Sequence, residues 1–427
     1  MAFKLGQLEA QIYVDYRGPY YGSDDPINGR IVLSYQPRSG IFKKQSESET
    51  AALFGPLKIF TVLRGNVAIR VRRDNDLPTL HGIEVLQKAD AVFDGSFKAD
   101  VGGNYEFPFS LNFPDGSNLV VAQGYSQDLP LPPSFYSHFS HYPDVVDIAI
   151  KYFLGVHVDL PGIDVKVNVP KQRLQPELKF DLPRPPKDLF ESNLSTFTER
   201  AVLQSSNLLP EDQRPQGFKQ KAKAVFSSSH FPKLALDVSC TQWHYICPGH
   251  NPSFEIVVRR SNNDSTSPTF PEVSLEFFRV KLVAYTSANT AQRVRGKPLC
   301  SDNDIVQRLE CRTNLPLTYS KANDYTHRVG VDPIAQLPSS FKHLKVSRSY
   351  QFKITMHFKV AEETVKVKKK HPVVLIPHPV EPMQLGENDA GPSRAGTDQA
   401  AGPSRHGDED EALPRYEDAV TSAPGSK

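Results

Sequence analysis

Residues 350–360 read YQFKITMHFKV, and the alternation in this stretch decides the fold class. Every second residue is large and apolar, while most of the residues between them are polar or charged. Side chains of a β-strand point alternately to the two faces of a sheet, so the pattern predicts a strand with one buried and one solvated face. The same period runs from Leu57 to Val71, which at about 3.4 Å per residue predicts a strand about 50 Å long.

Similar alternating runs occur on both sides of a proline-rich stretch, and no long helical period interrupts them. The runs before that stretch include Ile27–Tyr35, Tyr105–Phe113 and Ile148–Val158, and those after it include Leu234–Cys240 and Phe254–Val258. Strands of this kind favour antiparallel sheets packed face to face. The sequence therefore predicts an all-β chain with two tandem immunoglobulin-like β-sandwich domains, over residues 1–170 and 231–380.

Two segments have a different composition. Residues 171–230 are rich in Pro, Ser, Gln and Lys, which predicts an extended linker with at most a short, weakly patterned helix at 188–204. Residues 286–348 read mostly as loops, and a change of apolar parity at Phe277-Phe278 predicts a β-bulge. The tail, 381–427, has few large apolar residues and a strong acidic excess, so we expect it to be disordered.

Composition narrows the function classes. The chain has 427 residues and a formal net charge of +2, so no global field favours nucleic acid as a partner. Its four cysteines do not predict a disulfide framework, and neither a signal peptide nor a membrane span is expected. Nucleophile-elbow, phosphate-loop, dinucleotide-binding and zinc-protease motifs are missing, so we expect no enzyme and no cofactor.

One cluster raises the alternative of a metal enzyme or a β-sandwich hydrolase. Cys240, His244, Cys247 and His250 follow the spacing C-x3-H-x2-C-x2-H, which fits no common zinc template. On a strand, positions 240 and 244 would face one way and position 247 the other. Core cysteines with surface histidines therefore explain the cluster better than a metal site.

Two basic runs have both a structural and a functional interpretation. As solvated strand ends they would protect a sheet edge from aggregation, which is the favoured interpretation for either run alone. As a binding site they would contact phosphate, an anionic lipid or an acidic peptide. The runs consist of Arg70, Arg72 and Arg73 in the first predicted domain, and Lys366, Lys368, Lys369 and Lys370 in the second.

The tail contains a short docking motif, Leu413-Pro414-Arg415-Tyr416. Pro414 favours a polyproline-II turn, which reduces the ordering cost of binding. Tyr416 offers a ring for a groove and a hydroxyl for a hydrogen bond. Because Leu413 and Tyr416 lie in a polar tail with no core to join, we interpret the motif as a ligand for the aromatic groove of a WW domain.

The order of several stretches resembles the arrestin family over residues 1–170 and 231–380. Residues 21–33, YGSDDPINGRIVL, are similar to the opening hairpin of arrestin N-terminal domains, and Tyr105–Leu111 resembles their aromatic-Pro-Phe strand. Further similar stretches are Leu57–Arg73, Leu131–Phe135, Ile150–Tyr152 and, for the last strands of the C-terminal domain, Tyr350–Ile376. The tail motif points to the α-arrestins of fungi.

This resemblance implies a cytoplasmic adaptor that is recruited to the plasma membrane or endosomes. Leu413, Pro414 and Tyr416 would bind WW domains of a HECT-type ubiquitin ligase, and the folded domains would bind cytosolic segments of a membrane transporter or receptor. Anionic lipid is a further candidate partner through the two basic runs, independently of the resemblance. The cargo would then be ubiquitylated and endocytosed. An alternative keeps the fold but makes the protein a scaffold for signalling or vesicle sorting, independent of ubiquitin.

Overall fold

The computed structural model describes residues 6–15, 18–37, 52–73, 77–116, 129–141, 144–163, 166–171, 174–215, 231–261, 264–289, 299–300, 304–315, 317–319 and 324–379. Strands make up most of this chain, which confirms the predicted all-β class. Among these residues, no helix has the length and apolar character needed to cross a bilayer. The acidic tail, with Leu413, Pro414 and Tyr416, lies outside the described residues.

The first eleven strands form what we call the N-terminal half. Their bounds are β1 Gly6–Val14, β2 Tyr20–Tyr21, β3 Ile27–Pro37, β4 Leu53–Arg73, β5 Thr79–Ala99, β6 Asn104–Leu111, β7 Phe135–His141, β8 Asp144–Asp159, β9 Lys166–Asn168, β10 Glu177–Leu178 and β11 Phe180–Asp181.

The remaining elements form the C-terminal half. A short helix, α1 (Lys187–Ser192), precedes it, and its strands are β12 Leu194–Gln204, β13 Lys233–Trp243, β14 Tyr245–Ile246, β15 Ser253–Arg260, β16 Val273–Ala288, β17 Leu299–Cys300, β18 Asp304–Leu315, β19 Thr318–Tyr319, β20 Asp324–Gly330, β21 Phe341–Lys342, β22 Val346–Val360 and β23 Glu363–Leu375.

Two sheets of the N-terminal half share one core. One has the order β6-β3-β1-β9, and the other has the order β10-β8-β4-β5 with β7 paired to β8. Leu33 of β3, Leu57 of β4 and Ile150 of β8 belong to the same buried cluster, so the inward faces of both sheets contribute to it. The long strand predicted from Leu57 to Val71 is confirmed, since β4 spans 21 residues and pairs with β5 over most of them.

Gly65 allows a close approach in the middle of β4. A Cβ atom at this position would lie 2.5 Å from Cε1 of Tyr152, whose ring packs across the strand. The buried Tyr152 hydroxyl donates a hydrogen bond to the Pro132 carbonyl oxygen at 2.5 Å. Glycine is therefore required here by packing, since any larger side chain would displace the tyrosine ring.

The C-terminal half has the same two-layered character. One sheet has the order β12-β13-β15-β20-β19, and the other has the order β14-β23-β22-β16-β17, with β18 paired to β16 and β21 to β22. Phe254 of β15 meets Phe278 of β16 and Phe352 of β22 across the core, with ring centroids 5.8 and 5.2 Å apart. The predicted bulge is confirmed by a register shift between Leu275 and Phe277.

Two expectations about loops and helix were wrong. The helix at 188–204 is limited to α1, and residues 194–204 form β12, which pairs with β13 along its whole length. Phe197 is the one buried residue of β12, and Ala201 and Leu203 pack only partly buried against the same core, so the strand has little apolar alternation to detect. The region 286–348, read mostly as loops, contains the longer strands β18 and β20.

Aromatic and aliphatic side chains join the two halves. The Phe135 ring of β7 lies 5.3 Å from the Phe341 ring of β21 in an edge-to-face arrangement, and Val346 also belongs to the N-terminal core cluster. The buried Arg348 guanidinium lies 5.7 Å from the Phe135 ring and donates a hydrogen bond to the Thr286 hydroxyl. Residues from both halves therefore share one packed interface.

Candidate anion-binding face

Strand parity divides the second basic run. Lys366, Lys368 and Lys370 are exposed on the outer face of β23, where they alternate with inward-facing residues. Lys369 has the opposite parity, and its ammonium group forms an ion pair with the Glu199 carboxylate of β12. Only three of the four lysines therefore belong to one surface.

Sheet register extends that surface across four neighbouring strands. Lys370 of β23 lies opposite Lys353 of β22, which lies opposite Lys281 of β16, which in turn lies opposite Arg308 of β18. Paired residues of adjacent strands project from the same face of a sheet. We call these four residues the cationic row, and at about 4.8 Å per strand it is about 14 Å long.

Two further positions widen the row into a face. Lys368 lies opposite Thr355, which lies opposite Arg279, and Lys366 lies opposite His357. The outer surface of this sheet thus carries positive charge along its strands as well as across them. We define the cationic face by Arg279, Lys281, Arg308, Lys353, His357, Lys366, Lys368 and Lys370.

The register of β22 against β23 depends on a two-residue turn. Ala361 and Glu362 have φ values of 48° and 67°, and Val360 pairs with Glu363 directly beside them. Positive φ at both central residues is typical of a type I′ turn, whose twist matches that of the flanking strands. This turn therefore places Lys353 opposite Lys370 and Lys366 opposite His357.

The charges of the face affect one another. The pKa of Lys281 is lowered from its ordinary value by desolvation, and then by the positive charges of Arg279, Arg308 and Lys353. The pKa of His357 is also lowered by desolvation and then by neighbouring cations, with Glu276 acting in the opposite direction. Like charges directly opposite one another destabilise a sheet, so the arrangement has an energetic cost.

Protection of a sheet edge does not explain why Lys281 and Lys353, two like charges, lie directly opposite each other. Strands β22 and β16 each have long neighbours on both sides, so Lys353 and Lys281 lie in the interior of the sheet. Among the described residues, no carboxylate lies within ion-pair distance of Lys353, Lys366 or Lys368. A dense array of cations that extends onto interior strands is instead suited to bind negative charge.

The first basic run lies on a different sheet. Arg70 and Arg72 are exposed on β4, and the side chain of Arg73 lies outside the described residues. Arg72 Nη2 is 3.4 Å from Asp147 Oδ2, and the other carboxylate oxygen of Asp147 is 2.6 Å from His138 Nδ1. A carboxylate thus partly neutralises this run, which does not join the cationic face.

The cysteine–histidine cluster has the chemistry of a core. Cys240 is fully buried in the core of the C-terminal half, and Cys247 lies in a separate cluster with Ile376. Burial raises the pKa of the Cys240 thiol to about 12 and that of Cys247 to about 11, which disfavours the thiolate that metals bind. In the described part of the chain, no group of three or more His, Cys, Asp or Glu side chains could hold a metal ion.

Sequence reasoning found three residues of the face and missed five. Lys366, Lys368 and Lys370 were visible as a run, whereas Arg279, Lys281, Arg308, Lys353 and His357 are distributed over the three strands β16, β18 and β22. The alternation of these residues with apolar ones indicated that they face outward, and this signal could have been used to place them on the surface. Compared with protein-family models and with curated protein sequences, the chain gives no match.

Proposed function

We propose that the protein is a non-enzymatic adaptor of the arrestin type. Its folded part binds a negatively charged partner through the cationic face, while its tail recruits the WW domains of a HECT-type ubiquitin ligase. The observation that carries this proposal is the density of cations on the cationic face, three of which (Arg279, Lys281 and Lys353) lie on the interior strands β16 and β22. Such a surface suits charge-dependent binding rather than covalent chemistry.

We also propose that the fold consists of a pair of arrestin-like sandwich domains followed by a disordered tail. In support of this, each half has its own buried cluster, to which residues of two sheets contribute. The contact between Phe135 and Phe341 joins the two halves. The stretches that resemble arrestins follow one another along the chain in the order that the family has.

The proposed mechanism is proximity. A ligase held by the tail experiences a high effective concentration of any transporter or receptor held by the folded part, which favours transfer of ubiquitin to that cargo. The motif in this chain is L-P-R-Y where α-arrestins commonly have P-P-x-Y, and one copy is evident. A single copy lacks the avidity of tandem motifs, so we expect modest affinity for an isolated WW domain.

A binding experiment tests ligase recruitment. Immobilised WW domains should retain the full-length chain, and Tyr416→Ala should abolish retention because the groove loses its aromatic ligand. Pro403→Ala is a matched control, since it removes a tail proline outside the motif. Equal retention of wild type and Tyr416→Ala would contradict the proposal.

The alternative of a ubiquitin-independent scaffold makes a different prediction. In cells, Tyr416→Ala should slow turnover of the cargo if the adaptor recruits a ligase. Unchanged cargo turnover, together with normal partner binding by the folded part, would instead favour the scaffold. The cationic face is compatible with both functions, so this experiment separates them by the tail alone.

A further inference from the structure

We infer that the cationic face binds the anionic lipid headgroups of a membrane surface. This inference rests on the proposed adaptor function and specifies the partner of its folded part. A membrane adaptor has to be held near its cargo, and a charged sheet face would do this without inserting into the bilayer.

The two-dimensional layout of the charges favours a planar partner. The cationic row runs across four strands, whereas Lys366, Lys368 and Lys370 run along one strand, about 7 Å apart at each step. Both directions therefore extend about 14 Å. A linear acidic peptide can follow one of these lines, but a sheet of headgroups can meet both at once.

The side chains of the face are suited to a headgroup layer. Lys353, Lys366, Lys368 and Arg308 are exposed, and their long flexible stems can adjust to a fluid array of phosphate and carboxylate groups. Phe277 lies within the same surface, 4.8 Å from the His357 ring and beneath the Arg279 guanidinium at 5.4 Å. The face therefore presents one apolar ring among its cations.

The inward lysine gives an internal comparison. Lys369 belongs to the same run but faces Glu199, so it cannot take part in a contact made by the outer face. A general effect of lost positive charge would be the same for Lys369 as for its neighbours. A docking surface requires Lys366, Lys368 and Lys370 instead.

Flotation of the full-length chain with vesicles tests the inference. Wild type should bind vesicles of phosphatidylcholine mixed with phosphatidylserine, but not vesicles of phosphatidylcholine alone, and added salt should weaken binding. Each cation near an anionic surface contributes roughly fivefold to partitioning, so K366Q/K368Q/K370Q should lose roughly 100-fold. K369Q should bind within about twofold of wild type, since its side chain faces away from the lipid.

Further controls keep the outcomes distinct. Urea unfolding followed by Trp243 fluorescence shows whether the triple variant is folded, and K366Q alone serves if it is not. Equal vesicle binding by wild type and the triple variant would overturn the inference. So would tighter binding to soluble polyglutamate than to vesicles, which would favour an acidic protein segment. Tyr416→Ala should bind vesicles normally, so failure of lipid binding and failure of ligase recruitment are separable.

Discussion

Truncating Phe352 tests the parity on which the cationic face depends. Phe352 has 0% exposure, and its ring lies 5.2 Å from that of Phe254 at an interplanar angle of 72°. Phe352→Ala removes a fully buried aromatic side chain and leaves a cavity, which typically costs about 3–5 kcal/mol. Because domains unfold with a free energy of only about 5–15 kcal/mol, this loss should be large.

Urea unfolding followed by tryptophan fluorescence measures this cost. The chain has one tryptophan, Trp243, at the end of β13, with its ring 4.2 Å from that of His250, so the signal reports on the C-terminal half. The matched control is Lys353→Ala, which removes the next side chain on the outer face. We expect a much lower midpoint for Phe352→Ala and little change for the control. Equal midpoints for the two variants would refute the assigned parity.

Three further predictions concern buried charge, the turn and the face. Burial raises the pKa of Asp181 despite opposing hydrogen bonds, so stability falls as pH rises from the ordinary carboxyl pKa through the raised one. Asp181→Asn should raise the urea midpoint above that interval but not below it, and a pH-independent difference would contradict this. Glu362→Gly should stabilise the chain by about 1 kcal/mol, because glycine adopts the left-handed backbone conformation of this position without the steric strain of a Cβ atom. A lower melting temperature for the variant would contradict this. Lys368→Gln should raise the pKa of His357 in an NMR titration, because a neighbouring cation is lost, and an unchanged value would contradict the charge coupling.

Period-two patterns predicted much of the strand framework, because a buried face leaves a direct mark on the sequence. The run YQFKITMHFKV became β22, and Leu57–Val71 became the centre of β4. Strand β12 was missed because it has only one buried residue and so leaves no such mark. It forms one edge of its sheet, and hydroxyl pairs such as Thr196–Thr241 and Thr198–Ser239 lie along its exposed face. Its hydrogen bonds to β13 depend on tertiary structure rather than on an apolar period.

The candidate site could be predicted only where its residues are adjacent in sequence. Lys281, Arg308 and Lys353 are single cations tens of residues apart, and only strand register places them beside Lys370. That register depends partly on a turn that has no Gly, Asn or Asp to announce it. The long-range pairing of strands is therefore the information that local sequence patterns lack.

One measurement tests the adaptor proposal as a whole. A purified WW-domain protein is floated with vesicles that contain phosphatidylserine, in the presence of the full-length chain. We predict that wild type carries the WW-domain protein to the vesicles, that Tyr416→Ala floats without it, and that K366Q/K368Q/K370Q leaves both proteins in solution. Recruitment of the WW-domain protein by both variants as well as by wild type would contradict an adaptor that joins a membrane surface to a ligase.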